Sequence, residues 1–247
     1  MKRLYLRFYA ELNDFLPENR KATEFLHTID RHTSIKDVIE SLGVPHPEIE
    51  VILVNGASVD FAYRVCDNDK IDVYPSLEHS ELEPLIRLHG KPQHDPRFIL
   101  DSNLGRLARY LRLLGFDCLY RNDYEDAEIA NIAHRQQRIV LTRDRFLLRR
   151  KIIQRGYFIR AVLPREQVKE VLQRLDLYRA LAPFTRCVHC NGVLIDVSKN
   201  NVIEQLEPLT KRYYDDFLKC SGCQRIYWAG SHRDRARHLI ADLTGQT

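Results

Sequence analysis

The chain opens on an alternating pattern, "RLYLRFYAEL", whose period of two predicts a half-buried strand. "TSIKDVIESLGVP" then changes the period: Ile35, Val38, Ile39 and Leu42 share a helical face, Thr33 or Ser34 can cap it, and Gly43 stops it. "VILVNGASV" carries Asn-Gly between apolar runs, the signal of a tight hairpin, and "DKIDVYP" supplies a further strand. Strand, strand, helix and two or three more strands predict a small β-grasp module over residues 1–78. Residues 79–97 hold three prolines and no strong periodicity, and read as a linker.

From Phe98 the pattern alternates between strand and helix. "FIL" is a short apolar strand ending at Asp101, and the following "SNLGRLARYLRLLG" places Leu104, Leu107, Leu111 and Leu114 on one face before Gly115. "FDCLYR" and "EDAEIANIAHRQQ" repeat the unit, with Asp126 placed to cap the helix. "IVLT" followed by "DRFLLRRKIIQRG" and "YFIRAVL" followed by "REQVKEVLQRL" give two more units, the former helix stopping at Gly156. Such alternation predicts a parallel α/β sheet over residues 98–182. The fold class is therefore multi-domain α/β, closed by a cysteine-bearing segment over 183–247.

Composition adds limits. Across 247 residues, 44% are hydrophobic and 29% charged, as in ordinary globular proteins. No run of about 18 apolar residues predicts a membrane span, and the charged start does not resemble a secretory signal, so the cytoplasm is expected. The net charge of +4 is uneven: residues 1–80 balance to −5 and the remainder to +9. A basic body suits a polyanion such as RNA, and serves solubility equally well.

The acids change the picture more. In open parallel sheets, ligands bind beyond the carboxyl ends of the strands. Asp101, Asp123 and Asp144 follow the first three strands of this region, and Asp126 and Glu128 begin the helix between the second and third. Helix capping accounts for any one of them. Gathered together, they repel unless a cation intervenes, and hard oxygen donors suit Mg²⁺ or Mn²⁺. The chemistry this favours is metal-assisted phosphodiester hydrolysis. Arg106, Arg109 and Arg112, spaced by three, form either a solvated surface or a phosphate-contacting ridge. Arg143, Arg145, Arg149 and Arg150 extend that ridge, while Thr142 either supports a carboxylate or ends its strand.

Six cysteines divide differently. Cys66 and Cys118 stand alone in apolar runs and read as buried thiols. Cys187-x-x-Cys190 and Cys220-x-x-Cys223, 29 residues apart, read as four ligands of one structural zinc ion. Tyr227 and Trp228 either pack the small core of this ribbon or stack on bases, and the tail from His232 to His238 is basic enough to grip RNA.

"FILDSNLGRLARYLRLLGFD", "DAEIANIA", "IVLTRDRFLLRR", "CVHCNG" and "CSGCQRIYWAGSHRDR" together resemble the Mut-seven C-terminal RNase domain family, from about Arg97 to Leu243. The resemblance implies a PIN-like nuclease fold with a zinc ribbon. Its catalytic acids fall on Asp101, Asp126 and Asp144, with Glu128 as a fourth and Asp123 close by. Ser102 and Asn103 depart from the glycine and bulky residue common after the first acid. The first module resembles the ubiquitin-like sulfur carriers of thiamine and molybdopterin synthesis, but it runs on through "SLEHSELEPL" without their Gly-Gly end, which counts against sulfur transfer. The expectation is a metal-dependent ribonuclease acting on tRNA, rRNA or mRNA, with a ubiquitin-like module available to a protein partner. The rival is a non-catalytic RNA-binding adaptor.

Overall fold

The computed structural model describes residues 1–75, 86–89, 95–228 and 231–244, with the side chains of 231–235 and 244 left aside. Most of the expected linker 79–97, and the side chains of the first half of the basic tail, therefore lie outside what is described. By contact the chain divides into two compact units. One is Met1–Pro92 with Asp144–Phe158, and the other is Gln93–Arg143 with Ile159–Thr247.

In the first unit, β1 (Lys2–Phe8), β2 (Phe25–Ile29), β3 (Val51–Val54), β4 (Ala57–Val59) and β5 (Lys70–Tyr74) form one mixed sheet in the order β2-β1-β5-β3-β4. β1 and β5 are parallel and the other neighbours antiparallel. The alternation of β1 places Leu4, Leu6 and Phe8 in the core, where they meet Ile35, Val38 and Ile39 of α1 (Ile35–Ser41). Ser34 caps α1: its Oγ accepts from Asp37 N at 3.2 Å and donates to Asp37 Oδ2 at 2.7 Å. Between β3 and β4, Asn55 and Gly56 both take positive φ, 52° and 84°, as a type I′ hairpin turn requires. This is the β-grasp module.

In the second unit, β6 (Arg97–Leu100) pairs in parallel with β7 (Asp117–Tyr120) on one side and β8 (Ile139–Thr142) on the other. α2 (Gly105–Leu113) and α3 (Asp126–Gln136) connect these strands. The predicted face of α2 is the buried one, through Leu104, Leu107, Leu111 and Leu114. Gly115 ends it at φ +100°, where a Cβ would lie 2.2 Å from Ala182 O, so both backbone and space demand glycine.

Three details depart from the expectations. α3 starts one residue early, so Asp126 is its first helical residue, and Glu125 in the cap position makes no side-chain capping bond. Its carboxylate acts on the helix dipole instead. The helix expected over "DRFLLRRKIIQRG" shortens to α4 (Arg145–Leu148), followed by tight turns from Arg150 N to Leu147 O and from Ile153 N to Arg150 O. Ile153 is buried while Ile152 is 40% exposed, so contacts within the first unit outweigh the helical period there. Gly156 then opens β9 (Gly156–Phe158) in place of stopping a helix.

α5 (Pro164–Arg174) starts on proline, whose missing N–H costs nothing at a first helical position. Beyond it β10 (Leu194–Val197), α6 (Pro208–Tyr213), β11 (Phe217–Cys220), β12 (Ile226–Trp228) and α7 (Ser231–Thr244) complete the chain. β10, β11 and β12 make a small antiparallel sheet in that order. Cys118 is buried as expected. Cys66 is exposed, because its backbone N–H is drawn to Asp69 Oδ2 at 2.7 Å in a turn that leaves the thiol outside.

Candidate active site and zinc ribbon

Asp101 sits at the carboxyl end of the central strand, 8% exposed. A carboxylate so placed needs hydrogen-bond donors. Its Oδ1 accepts from Ser102 N at 2.6 Å and Ser102 Oγ at 3.2 Å, and its Oδ2 from Thr142 Oγ1 at 2.8 Å. Thr142, fully buried at the end of β8, thus supports the carboxylate. The loop after Asp101 is held by Tyr120, whose hydroxyl donates to Ser102 O at 2.8 Å. Gly105 makes room for that ring, since a Cβ there would lie 2.6 Å from the Tyr120 hydroxyl.

Asp126 and Glu128 occupy the first turn of α3, partly exposed. Asp123 is exposed and gripped at both oxygens by Arg121, at 2.9 and 2.8 Å, which holds its carboxyl below the usual range. Arg121 also reaches Glu128 at 3.4 Å and lies over the Tyr124 ring. Asp144 caps α4, accepting from Phe146 N at 2.8 Å, and belongs to the other compact unit.

These acids supply the hard oxygen donors that Mg²⁺ or Mn²⁺ prefers. Among the described residues, though, the four cysteines are the one group of three or more His, Cys, Asp or Glu side chains gathered closely enough to share an ion. The carboxylates fit a divalent ion in donor chemistry, without that degree of convergence.

The arginines separate into different kinds. Arg106 and Arg109 are exposed on α2. Arg112, grouped with them by spacing, is 4% exposed, and its guanidinium donates to Cys118 O at 2.9 Å, Val188 O at 3.3 Å and His189 O at 3.0 Å. It ties α2 and β7 to the first cysteine knuckle and is closed to phosphate. Arg143 and Arg150 are exposed. Arg145 and Arg149 are also exposed, but their guanidiniums donate within the first unit, to Asp14 O and Glu40 O.

Two polar residues that sequence reasoning passed over hold this unit together. Arg138, 7% exposed, donates to Phe98 O at 3.0 Å and Asp117 Oδ1 at 2.7 Å. Asn191 donates to the same Asp117 oxygen at 2.7 Å and accepts from Cys118 N at 2.9 Å. Burial raises the Asp117 pKa, but hydrogen bonds from Arg138 and Asn191 and the charges of Arg138 and Arg186 outweigh it and hold the carboxyl low. An arginine directly before an apolar strand was the available signal for Arg138.

The four cysteine sulfurs all lie within 4.8 Å of one another. Sulfurs around tetrahedral zinc are separated by about 3.8 Å, given Zn–S bonds of about 2.3 Å. Cys187 and Cys223 are 3.7 Å apart and Cys190 and Cys220 3.3 Å. Gly222 N points at Cys220 Sγ over 3.3 Å, and a Cβ on Gly192 would lie 2.7 Å from the same sulfur. Soft sulfur donors at this spacing fit zinc, and four of them leave no position for catalysis. The half-buried Tyr227 places its hydroxyl 3.0 Å from Cys187 Sγ, which ties that ring to the cysteine cluster, while Trp228 is 38% exposed. Arg109, His189, Arg225 and Tyr227 line an open depression of about 500 Å³ beside the first knuckle. Arg225 extends the basic surface of α2 in a way that spacing alone could not show.

Among the described residues, no helix is long and apolar enough to cross a membrane. No curated protein and no solved structure matches the chain. Two family models do: the Mut7-C ubiquitin domain over residues 1–81, and the Mut7-C RNAse domain over residues 96–240. The second match spans more than half of the chain and contains the sheet-end acids and all four cysteines, so the chain belongs to the Mut7-C RNAse domain family, with the family's ubiquitin domain in front of it.

Proposed function

We propose that the protein is a divalent-metal-dependent ribonuclease whose catalytic acids are Asp101, Asp126 and Asp144, with Glu128 assisting. The observation that carries this reading is Asp101 itself: a nearly buried carboxylate at the end of the central strand, oriented by Thr142, inside the matched RNAse domain. The carboxyl end of a parallel strand is also where ligands of such sheets bind. Bound Mg²⁺ or Mn²⁺ would supply a polarised phosphate and a water of lowered pKa. The chain's own contribution is to orient Asp101 through Thr142 and Ser102 and to hold the RNA backbone through Arg106 and Arg109. Asp123, engaged by Arg121, supports the α3 end electrostatically. Arg143 and Arg150 add positive charge, and Trp228 offers a stacking face.

A second reading is favoured by the depression around Arg109, His189 and Arg225: an adaptor that holds RNA on the ribbon without cutting it. Labelled single-stranded and hairpin RNAs, incubated with Mn²⁺, Mg²⁺ or EDTA, separate the two. Metal-dependent cutting supports the nuclease. Tight binding without cutting under any metal supports the adaptor.

A further inference from the structure

We propose that the ubiquitin-like module sets the conformation of the segment bearing Asp144, with Arg145 and Arg149 acting as positioning residues in place of the RNA contacts their spacing suggested. The proposal rests on the ribonuclease reading for the role of Asp144, but its structural half stands independently.

Residues 144–158 lie within the stretch matched by the RNAse domain, yet fall in one compact unit with Met1–Pro92. The chain leaves the second unit after Arg143 and rejoins it at Ile159, whose N–H donates to Thr142 O at 2.8 Å and closes the base of the excursion. Asp144 is its first residue. Arg145 follows immediately, with its guanidinium carbon 4.9 Å from the centre of the Phe15 ring and 5.4 Å from that of Phe158. Those rings meet edge to face at 5.5 Å, and Arg145 Nη2 donates to Asp14 O at 3.0 Å. A guanidinium held near two ring faces and donating to a carbonyl has little freedom left to follow a phosphate.

One turn on, Arg149 Nη2 donates to Glu40 O at 3.1 Å. Further along, His46 Nε2 donates to Ile153 O at 2.7 Å, and its Nδ1 lies 2.6 Å from Glu40 Oε1. His46 is 4% exposed and Ile153 fully buried. The far end is held where Phe158 N donates to Glu48, itself 1% exposed. Anchors therefore run the length of the excursion, and each uses a residue of the β-grasp module. A segment whose regular structure is a four-residue helix and a three-residue strand has little stability of its own, so these contacts add to its order.

The test uses the full-length protein and its variants Arg145→Lys, Phe15→Leu and Phe15→Tyr. Hydrogen exchange of residues 144–158, RNA affinity and kcat are measured for each. Lysine keeps the charge for phosphate but loses the planar, forked guanidinium. Arg145→Lys and Phe15→Leu should each speed exchange across the segment roughly tenfold and lower kcat by a similar factor, with RNA affinity within about twofold. Phe15→Tyr should preserve both. Weakened RNA affinity with unchanged exchange in Arg145→Lys would overturn the proposal and make Arg145 a phosphate contact. Unchanged exchange in both Arg145→Lys and a folded Phe15→Leu would overturn it as well. A wild type that cuts no RNA would remove the ribonuclease reading and leave the exchange result to decide the positioning role.

Discussion

Thr142 Oγ1 donates to Asp101 Oδ2 over 2.8 Å, joining the carboxyl ends of two adjacent parallel strands through two side chains that are almost wholly buried. The bond fixes one carboxylate oxygen and turns the other toward the loop at Ser102. Thr142→Val keeps the shape and deletes the donor. It should cost about 1–3 kcal/mol of stability, because the carboxylate loses a partner in a buried setting. Thr142→Ser should recover most of that loss. Urea unfolding of the three proteins measures both, and a kcat that falls in the valine variant and returns in the serine variant would tie the bond to activity.

Asp117 makes a pH prediction. Its carboxyl is held below the ordinary value, since hydrogen bonds from Arg138 and Asn191 outweigh the effect of burial. A carboxylate whose folded pKa is depressed adds stability that is present above its unfolded pKa of about 3.9 and is lost as pH falls through the folded value. Stability should therefore drop below about pH 4. Asp117→Asn should remove that part of the acid dependence while costing about 3 kcal/mol at neutral pH, because Arg138 is left charged and unpaired by a carboxylate. Denaturant titrations at several pH values read both effects.

Arg109 and Arg112 stand three residues apart on α2 and should behave in opposite ways. Arg109→Ala should leave stability within about 0.5 kcal/mol of wild type, as exposed substitutions do. It should also reduce the salt dependence of RNA binding by about one phosphate contact. Arg112→Met should destabilise the fold by about 1–3 kcal/mol through three abandoned carbonyls. Its salt slope should not move.

This pair also shows how much of the molecule the sequence carried. Period and cap residues located the strands and helices, because burial and hydrogen bonding act over a few residues and leave their mark locally. Leu107, Leu111 and Leu114 on α2, the Asn55-Gly56 turn and the four cysteines were legible for that reason. Arg112 was misassigned because a spacing of three marks one side of a helix without saying what packs there. The segment after Asp144 was misread as a long helix because its partners, Phe15, Glu40 and His46, lie more than a hundred residues away. Asn191 and Arg138 bond across distant chain segments, and no local pattern announces that. Asp101 was found from its place at a strand end. Its hydrogen bond to Thr142 came only with the sheet register.

Zinc should hold the ribbon together. Cys220→Ser removes a fully buried sulfur ligand, so the protein should bind well below one zinc per chain and lose stability by several kcal/mol. Metal analysis and thermal unfolding with and without a strong chelator provide the measurement. A ribbon equally stable without zinc would show that the cysteines serve another purpose.

The most direct test of the central claim compares wild type with Asp101→Asn in cleavage of labelled RNA in Mn²⁺, with folding and zinc content matched first. Wild type should cut and the asparagine variant should lose at least about a hundredfold in rate, the scale on which an enzyme loses a group acting in its transition state. Equal cutting by the two folded proteins would contradict the assignment of Asp101 to a nuclease centre.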